Sequence, residues 1–177
     1  AGLFMKAGSE TFCQGLFGFL RRAVVKNTRI CFSHIIAYNY VGALAGHISF
    51  NTQILNCSNE SIVENDRNFS GGLIGFSSGQ NRIIGCRNYG RVYGHRCVGG
   101  IVGYFEGGSI YNSFNRGDIV GRYEHVGGII GEFSEPYQKS VKDTELKELP
   151  NDTVANCYNT GTIMARDVAG GIAGHIN

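Results

Sequence analysis

The sequence predicts an all-β chain, a parallel β-solenoid built from repeats of about 28 residues. Three observations predict it: a glycine phrase that returns six times, a near-constant step between its copies, and apolar positions held mainly by β-branched residues. The full copies are Gly42-Ala43-Leu44-Ala45-Gly46, Gly71-Gly72-Leu73-Ile74-Gly75, Gly99-Gly100-Ile101-Val102-Gly103, Gly127-Gly128-Ile129-Ile130-Gly131 and Gly170-Gly171-Ile172-Ala173-Gly174, preceded by the weaker Gln14-Gly15-Leu16-Phe17-Gly18. One such loop would suit a phosphate, because backbone N–H groups approach an anion where no Cβ intervenes. Six copies instead describe a building rule. The closing glycines stand at 18, 46, 75, 103, 131 and 174, so the steps are 28, 29, 28, 28 and 43, a period that marks a repeat architecture.

Each unit carries a second phrase. It reads Ile54-Leu55-Asn56-Cys57-Ser58-Asn59, then Ile83-Ile84-Gly85-Cys86-Arg87-Asn88, Ile110-Tyr111-Asn112-Ser113-Phe114-Asn115 and Val154-Ala155-Asn156-Cys157-Tyr158-Asn159. Ser61, Gly90, Gly117 or Gly161 follows two residues later, and then Val63, Val92, Ile119 or Ile163. Gly and Asn are weak in helix interiors, and β-branched residues suit a pleated surface, so each unit reads as several short strands with turns between. A unit of this size cannot bury its apolar face alone. Stacking successive units supplies the core and the backbone hydrogen bonds together. In that stack Asn59, Asn88, Asn115 and Asn159 form a structural ladder, amide upon amide, and are expected to hold a left-handed turn that the neighbouring glycine slot shares.

The last step exceeds the others by about 15 residues, the segment Ser134 to Asp152. Glycine vanishes there, charge is dense, and both prolines of the protein appear, at Pro136 and Pro150. These positions suit the start and stop of a short helix, with Val141, Leu146 and Leu149 on one face, and a short helix or loop is expected to project from the solenoid there. Insertions in repeat arrays map to one face and often carry binding. Tyr137, Lys139, Lys142 and Lys147 of this segment are therefore candidate binding residues, together with Tyr104, Tyr111 and Tyr123 of the repeats, whose rings suit sugar or protein surfaces.

The whole chain, residues 1 to 177, reads as one repeat domain and as an excerpt of a longer array, interrupted at 134 to 152. A net charge of +2 from interspersed residues, without a basic run, gives no case for nucleic acid or an anionic membrane. No apolar run approaches the roughly 20 residues of a membrane helix, so no direct insertion is expected. Cys57, Cys86 and Cys157 share one slot with Thr28 and Ser113. A slot that accepts small, weakly polar groups points to free buried thiols rather than disulfides. His47 and His175 share a slot with Phe19, Phe76, Tyr104 and Glu132, which favours packing over catalysis. His95 and His125 are expected on neighbouring turns, with Glu124 and Glu106 as further ligand candidates. Neither CxxC nor HExxH nor a calcium loop is present, so no metal and no cofactor is assigned. Asp118, Asp167 and Glu124 fall in different slots and make no acid/base pair, so no catalytic residue is assigned and the chain is expected not to be an enzyme.

The paired phrases, the 28-residue period and the Gly15-Leu16-Phe17-Gly18-Phe19 opening resemble the GLUG-motif repeats of bacterial surface and secreted proteins. The resemblance implies a secreted or cell-surface location and a scaffolding role in adhesion to a host protein or glycan. The alternative is an accessory substrate-binding region of a secreted hydrolase, either a peptidase, as the resemblance to regions of immunoglobulin A1 peptidases implies, or a polysaccharide-active enzyme. Exposed terminal strands would further favour end-to-end self-association.

Overall fold

In a computed structural model, residues 4–6, 12–134 and 152–177 are described. Every regular element among them is a strand, and every strand pairing is parallel. The expected short helix, with Tyr137, Lys139, Lys142 and Lys147, lies outside the described residues.

The chain is a parallel β-solenoid. Each coil passes through four sheets, which we call A to D. The coil that begins at Val92–Gly94 in sheet A continues through Arg96–Gly99 in B, Val102–Tyr111 in C and Phe114–Asn115 in D, and returns to A at Ile119–Gly121. Sheets B and D are five strands deep, and A is six. Sheet C holds the longest strands, Ile74–Ile84 and Val102–Tyr111, which bend at Gly79 and at Gly107-Gly108, all with positive φ.

Equivalent residues of the repeats stand above one another. Ile35, Val63, Val92, Ile119 and Ile163 align in sheet A, and Ile54, Ile83, Ile110 and Val154 align in sheet C. Between sheets B and C, Leu44 N–H donates to Leu73 C=O, Leu73 to Ile101, Ile101 to Ile129, and Ile129 to Ile172, at 2.9 to 3.1 Å. Leu44, Leu73, Ile101 and Ile129 are wholly buried. These columns fill the interior because period-2 alternation turns every second side chain inward, and stacking brings like residues together.

The two sequence phrases meet inside the coil. Asn59 Nδ2 donates to Asn88 Oδ1 at 2.9 Å, Asn88 Nδ2 to Asn115 Oδ1 at 2.7 Å, and Asn115 Nδ2 to Asn159 Oδ1 at 2.7 Å. Each amide also closes a local loop: Asn88 Nδ2 donates to Gly90 C=O, and Gly90 N–H donates to Asn88 Oδ1. In three successive glycine phrases the second glycine, Gly72, Gly100 and Gly128, makes room for this ladder. A Cβ on Gly100 would lie 2.6 Å from Asn115 Cγ and 2.1 Å from Gly128 O.

The left-handed turn, however, is not at the ladder asparagines, which are extended strand residues. It falls three residues earlier, at Asn27, Asn56, Gly85, Asn112 and Asn156, with φ from 51 to 66°. Nor do Gly90, Gly117 and Gly161 supply a positive φ. They are glycine because the coil below leaves no space; a Cβ on Gly90 would meet Ser61 O at 1.9 Å.

All six cysteines are unpaired. Cys57 and Cys86 are buried in the core, and Cys157 packs against it. Burial pushes the Cys86 thiol up to about 12, so it remains protonated and inert in the sense that buried structural cysteines are.

Candidate functional site

Three features lie outside the core columns: a polar pocket on sheet C, an aromatic edge between sheets B and C, and a cluster of metal-ligand side chains on that edge.

The pocket has a volume of about 360 Å³ and is lined by Asn51, Gln80, Asn81, Arg82, Gly108, Ser109 and Tyr111. It sits where the long sheet C strands bend. The bend exists because Gly79, Gly107 and Gly108 take left-handed φ, and the strand pairing slips between Ser78 and Asn81. Asn81 holds the corner. Its Nδ2 donates to Ser77 Oγ and Ser78 C=O, both at 2.9 Å, and its Oδ1 accepts from Thr52 N–H at 2.9 Å. The exposed Arg82 and the half-buried Tyr111 leave the same corner outward.

The insertion leaves from this corner too. Ser134 is still paired in sheet C with Glu106, and Thr153 resumes the pairing at Ser109. Residues 135–152 thus stand in place of the two-residue corner Gly107-Gly108 of the preceding coil. Asp152 anchors the return: its Oδ1 accepts from Gly108 N–H at 2.6 Å and from Gln80 Nε2 at 3.3 Å. Of the tyrosines singled out in the sequence, Tyr111 lines this pocket. Tyr104 lies in the same strand, on the aromatic edge. Tyr123 stands apart on the corner between sheets A and B, its ring 4.1 Å from His95 and 5.4 Å from the Arg166 guanidinium.

The edge is formed by two adjoining columns. In one, Tyr40, Phe69, Cys97 and His125 stack, all with positive φ from 31 to 62°. In the other, Phe19, His47, Phe76, Tyr104, Glu132 and His175 stack. Over the lower coils the columns interleave as rings: Tyr40 lies 5.1 Å from Phe69, His47 4.6 Å from Phe76, and Phe69 4.6 Å from Tyr104. Burial within this ribbon pushes the His47 imidazole down to about 4 and the Tyr104 phenol upward.

Over the upper coils the same two columns carry Cys97, His125, Glu132 and His175. Cys97 Sγ lies 3.0 Å from Glu132 Oε2 and 4.0 Å from His125 Nδ1, and His125 Nδ1 lies 2.8 Å from Glu132 Oε2. His175 stacks on His125 at 4.4 Å and 10°, with its Nδ1 3.9 Å from Glu132 Oε1. Burial, then the neighbouring Glu132 carboxylate, pushes the Cys97 thiol up. The sequence pairing of His95 with His125 does not form, since His95 packs on Tyr123 and Glu124 is held by Arg96 at 2.9 Å. Cys97 lies outside the cysteine slot of the repeat, so the slot pattern does not point to it. The signal for it was the 28-residue step from Cys97 to His125, beside a column that already contained Glu132 and His175.

Comparison with known proteins bears on the repeat. The family model described as the GLUG motif matches residues 94–120. The chain carries a GLUG repeat. In the structure this GLUG segment is one coil, leaving sheet A at Gly94 and returning to it at Val120. It contains Cys97, Tyr104, Tyr111 and the ladder residue Asn115, and the flanking coils pair with it in register, Gly71 with Gly99 and Gly99 with Gly127. No curated protein and no solved structure matches the chain.

Proposed function

We propose that the protein is a non-enzymatic GLUG scaffold of a secreted or surface-held bacterial protein, which presents a lateral binding surface to a host glycan or protein. The pocket on sheet C carries this reading. Its lining combines the amide groups of Asn51 and Gln80, the Arg82 guanidinium, the Ser109 hydroxyl and the Tyr111 ring in one concavity of about 360 Å³. A few convergent polar groups beside an aromatic face are what a sugar or an extended polar chain requires for orientation and stacking. The insertion bearing Tyr137, Lys139, Lys142 and Lys147 enters and leaves beside it, with Asp152 fixed to the pocket wall. The core of the coil is committed elsewhere, because the glycine phrases and the Asn ladder spend their polar groups on stacking.

The test is a glycan and extracellular-protein binding screen with the native chain, an Arg82→Ala/Tyr111→Ala variant, and a form in which residues 135–151 are replaced by a short Gly/Ser connection. The expected result is binding by the native chain and a loss of at least about tenfold, roughly 1.4 kcal/mol, in the double variant. Equal binding by all three forms would remove the pocket and the insertion from the account.

A further inference from the structure

Along the edge between sheets B and C, aromatic rings fill both columns until the upper coils, where four places in succession hold Cys97, His125, Glu132 and His175. Three successive coils contribute: Cys97 from one, His125 and Glu132 from the next, His175 from the last. Cys97 is almost fully buried, and the side chains of His125 and Glu132 are 16% and 15% exposed. Polar groups withdrawn from water this far need partners. Cys97 and His125 both turn to Glu132 Oε2, whereas His175 Nδ1, shielded from solvent on the other side of the same carboxylate, makes no hydrogen bond.

We propose that these four side chains bind one divalent transition-metal ion of the zinc type, through Cys97 Sγ, His125 Nδ1, the Glu132 carboxylate and His175 Nδ1. Three observations carry the assignment. The first is compactness: the ligand atoms of Cys97, His125 and Glu132 all lie within 4.8 Å of one another. A tetrahedral zinc site with Zn–S near 2.3 Å and Zn–N or Zn–O near 2.0–2.2 Å places its ligand atoms about 3.3 to 3.7 Å apart. The separations among these three, 2.8 to 4.0 Å, straddle that range, and His175 Nδ1 stands 3.9 Å from the second oxygen of Glu132. The second is donor chemistry. A thiolate with two imidazoles and one carboxylate suits zinc, while calcium and magnesium require oxygen. The third is charge. Thiolate and carboxylate together cancel the two positive charges of the ion, so a neutral centre forms where a net charge would be costly.

As the Sγ–metal bond forms, the Cys97 thiol gives its proton to solvent; in the bound state Glu132 ligates as its carboxylate and both histidines as neutral imidazoles. The ion gives His175 Nδ1 the partner it lacks. It also ties three coils together at an edge where the lower coils rely on ring packing.

The assignment is tested with Co²⁺ as the probe, on the 177-residue chain kept reduced with a non-chelating phosphine. The expected result is a single equivalent bound, with tetrahedral d–d bands and a thiolate-to-cobalt charge-transfer band, both abolished by Zn²⁺, and a Zn²⁺-dependent rise in Tm. Cys97→Ser should remove the charge-transfer band, and His125→Gln and His175→Ala should each weaken binding by more than the 10- to 100-fold typical of losing an outer-shell partner. His95→Ala, outside the cluster, should bind as the native chain does. His175→Ala alters only the last strand and keeps the test valid if Cys97→Ser fails to fold. Absence of the cobalt spectrum, or a spectrum that survives His175→Ala and His125→Gln unchanged, would overturn the proposal.

Discussion

Asn88 makes four hydrogen bonds through one amide: it donates to Asn115 and to Gly90 C=O, and accepts from Asn59 and from Gly90 N–H. No other side chain of its size both donates twice and accepts twice, which is why the amide recurs. Asn88→Ala strands the Asn59 amide and Gly90 N–H in a wholly buried place. We expect a loss of about 3 kcal/mol, seen as a fall in Tm of about 6–12 °C. Glycine at position 100 is a matter of space. Gly100→Ala should cost about 3 kcal/mol, because the new methyl meets backbone at 2.1 Å. Gly171 holds the equivalent place in the last coil with nothing within 4 Å, so Gly171→Ala should shift stability by less than about 0.5 kcal/mol. Urea denaturation of the pair separates packing from backbone freedom. His47 supplies a pH signature. Its folded-state imidazole is pushed down by burial to about 4 from an ordinary 6.5, so the unfolded chain takes up the proton first. Stability from this group is full above pH 6.5 and is lost as pH falls through the window to about 4. His47→Phe, matching Phe76 one coil on, should flatten the decline of Tm between pH 6.5 and 4 relative to the native chain.

At the scale of the element, the insertion replaces a corner and leaves both neighbouring strands paired to Val102–Tyr111. Replacing 135–151 by a short Gly/Ser connection, with Asp152 retained, should therefore preserve the β-sheet circular dichroism and keep Tm within a few degrees, since each doubling of loop length changes closure entropy by only about 0.6 kcal/mol. A large loss of Tm would make the insertion a structural cover. The strands and their order were readable from sequence because every coil must solve the same packing problem with the same residue types, so the solution repeats visibly. The left-handed turn was misplaced for a definite reason. Three coils offer Asn at two nearby positions, Asn56 and Asn59, Asn112 and Asn115, Asn156 and Asn159, and composition does not say which amide bonds along the stack and which backbone turns. The Cys97 cluster was hidden because its members come from places that other coils fill with Tyr, Phe and His. Their convergence is set by coil geometry over steps of 28 and 43 residues rather than by a local motif.

For the whole molecule, parallel stacking leaves two end coils whose apolar side chains face outward. Phe4, Phe12, Phe17, Phe19 and Val24 are exposed at one end, and Met164, Val168, Ile172 and Ile176 at the other. The 177-residue chain should accordingly associate end to end, with a sedimentation coefficient that rises with concentration, and Ile172→Lys should suppress the rise. All of these expectations rest on the register of the coils. Trans-hydrogen-bond scalar couplings in an isotope-labelled sample read that register directly, one amide and one carbonyl at a time. Couplings from Leu73 N–H to Ile101 C=O, from Ile101 N–H to Ile129 C=O and from Ile129 N–H to Ile172 C=O are the predicted result. Couplings that join these amides to any other carbonyl, or to residues of their own coil, would contradict the stacked solenoid.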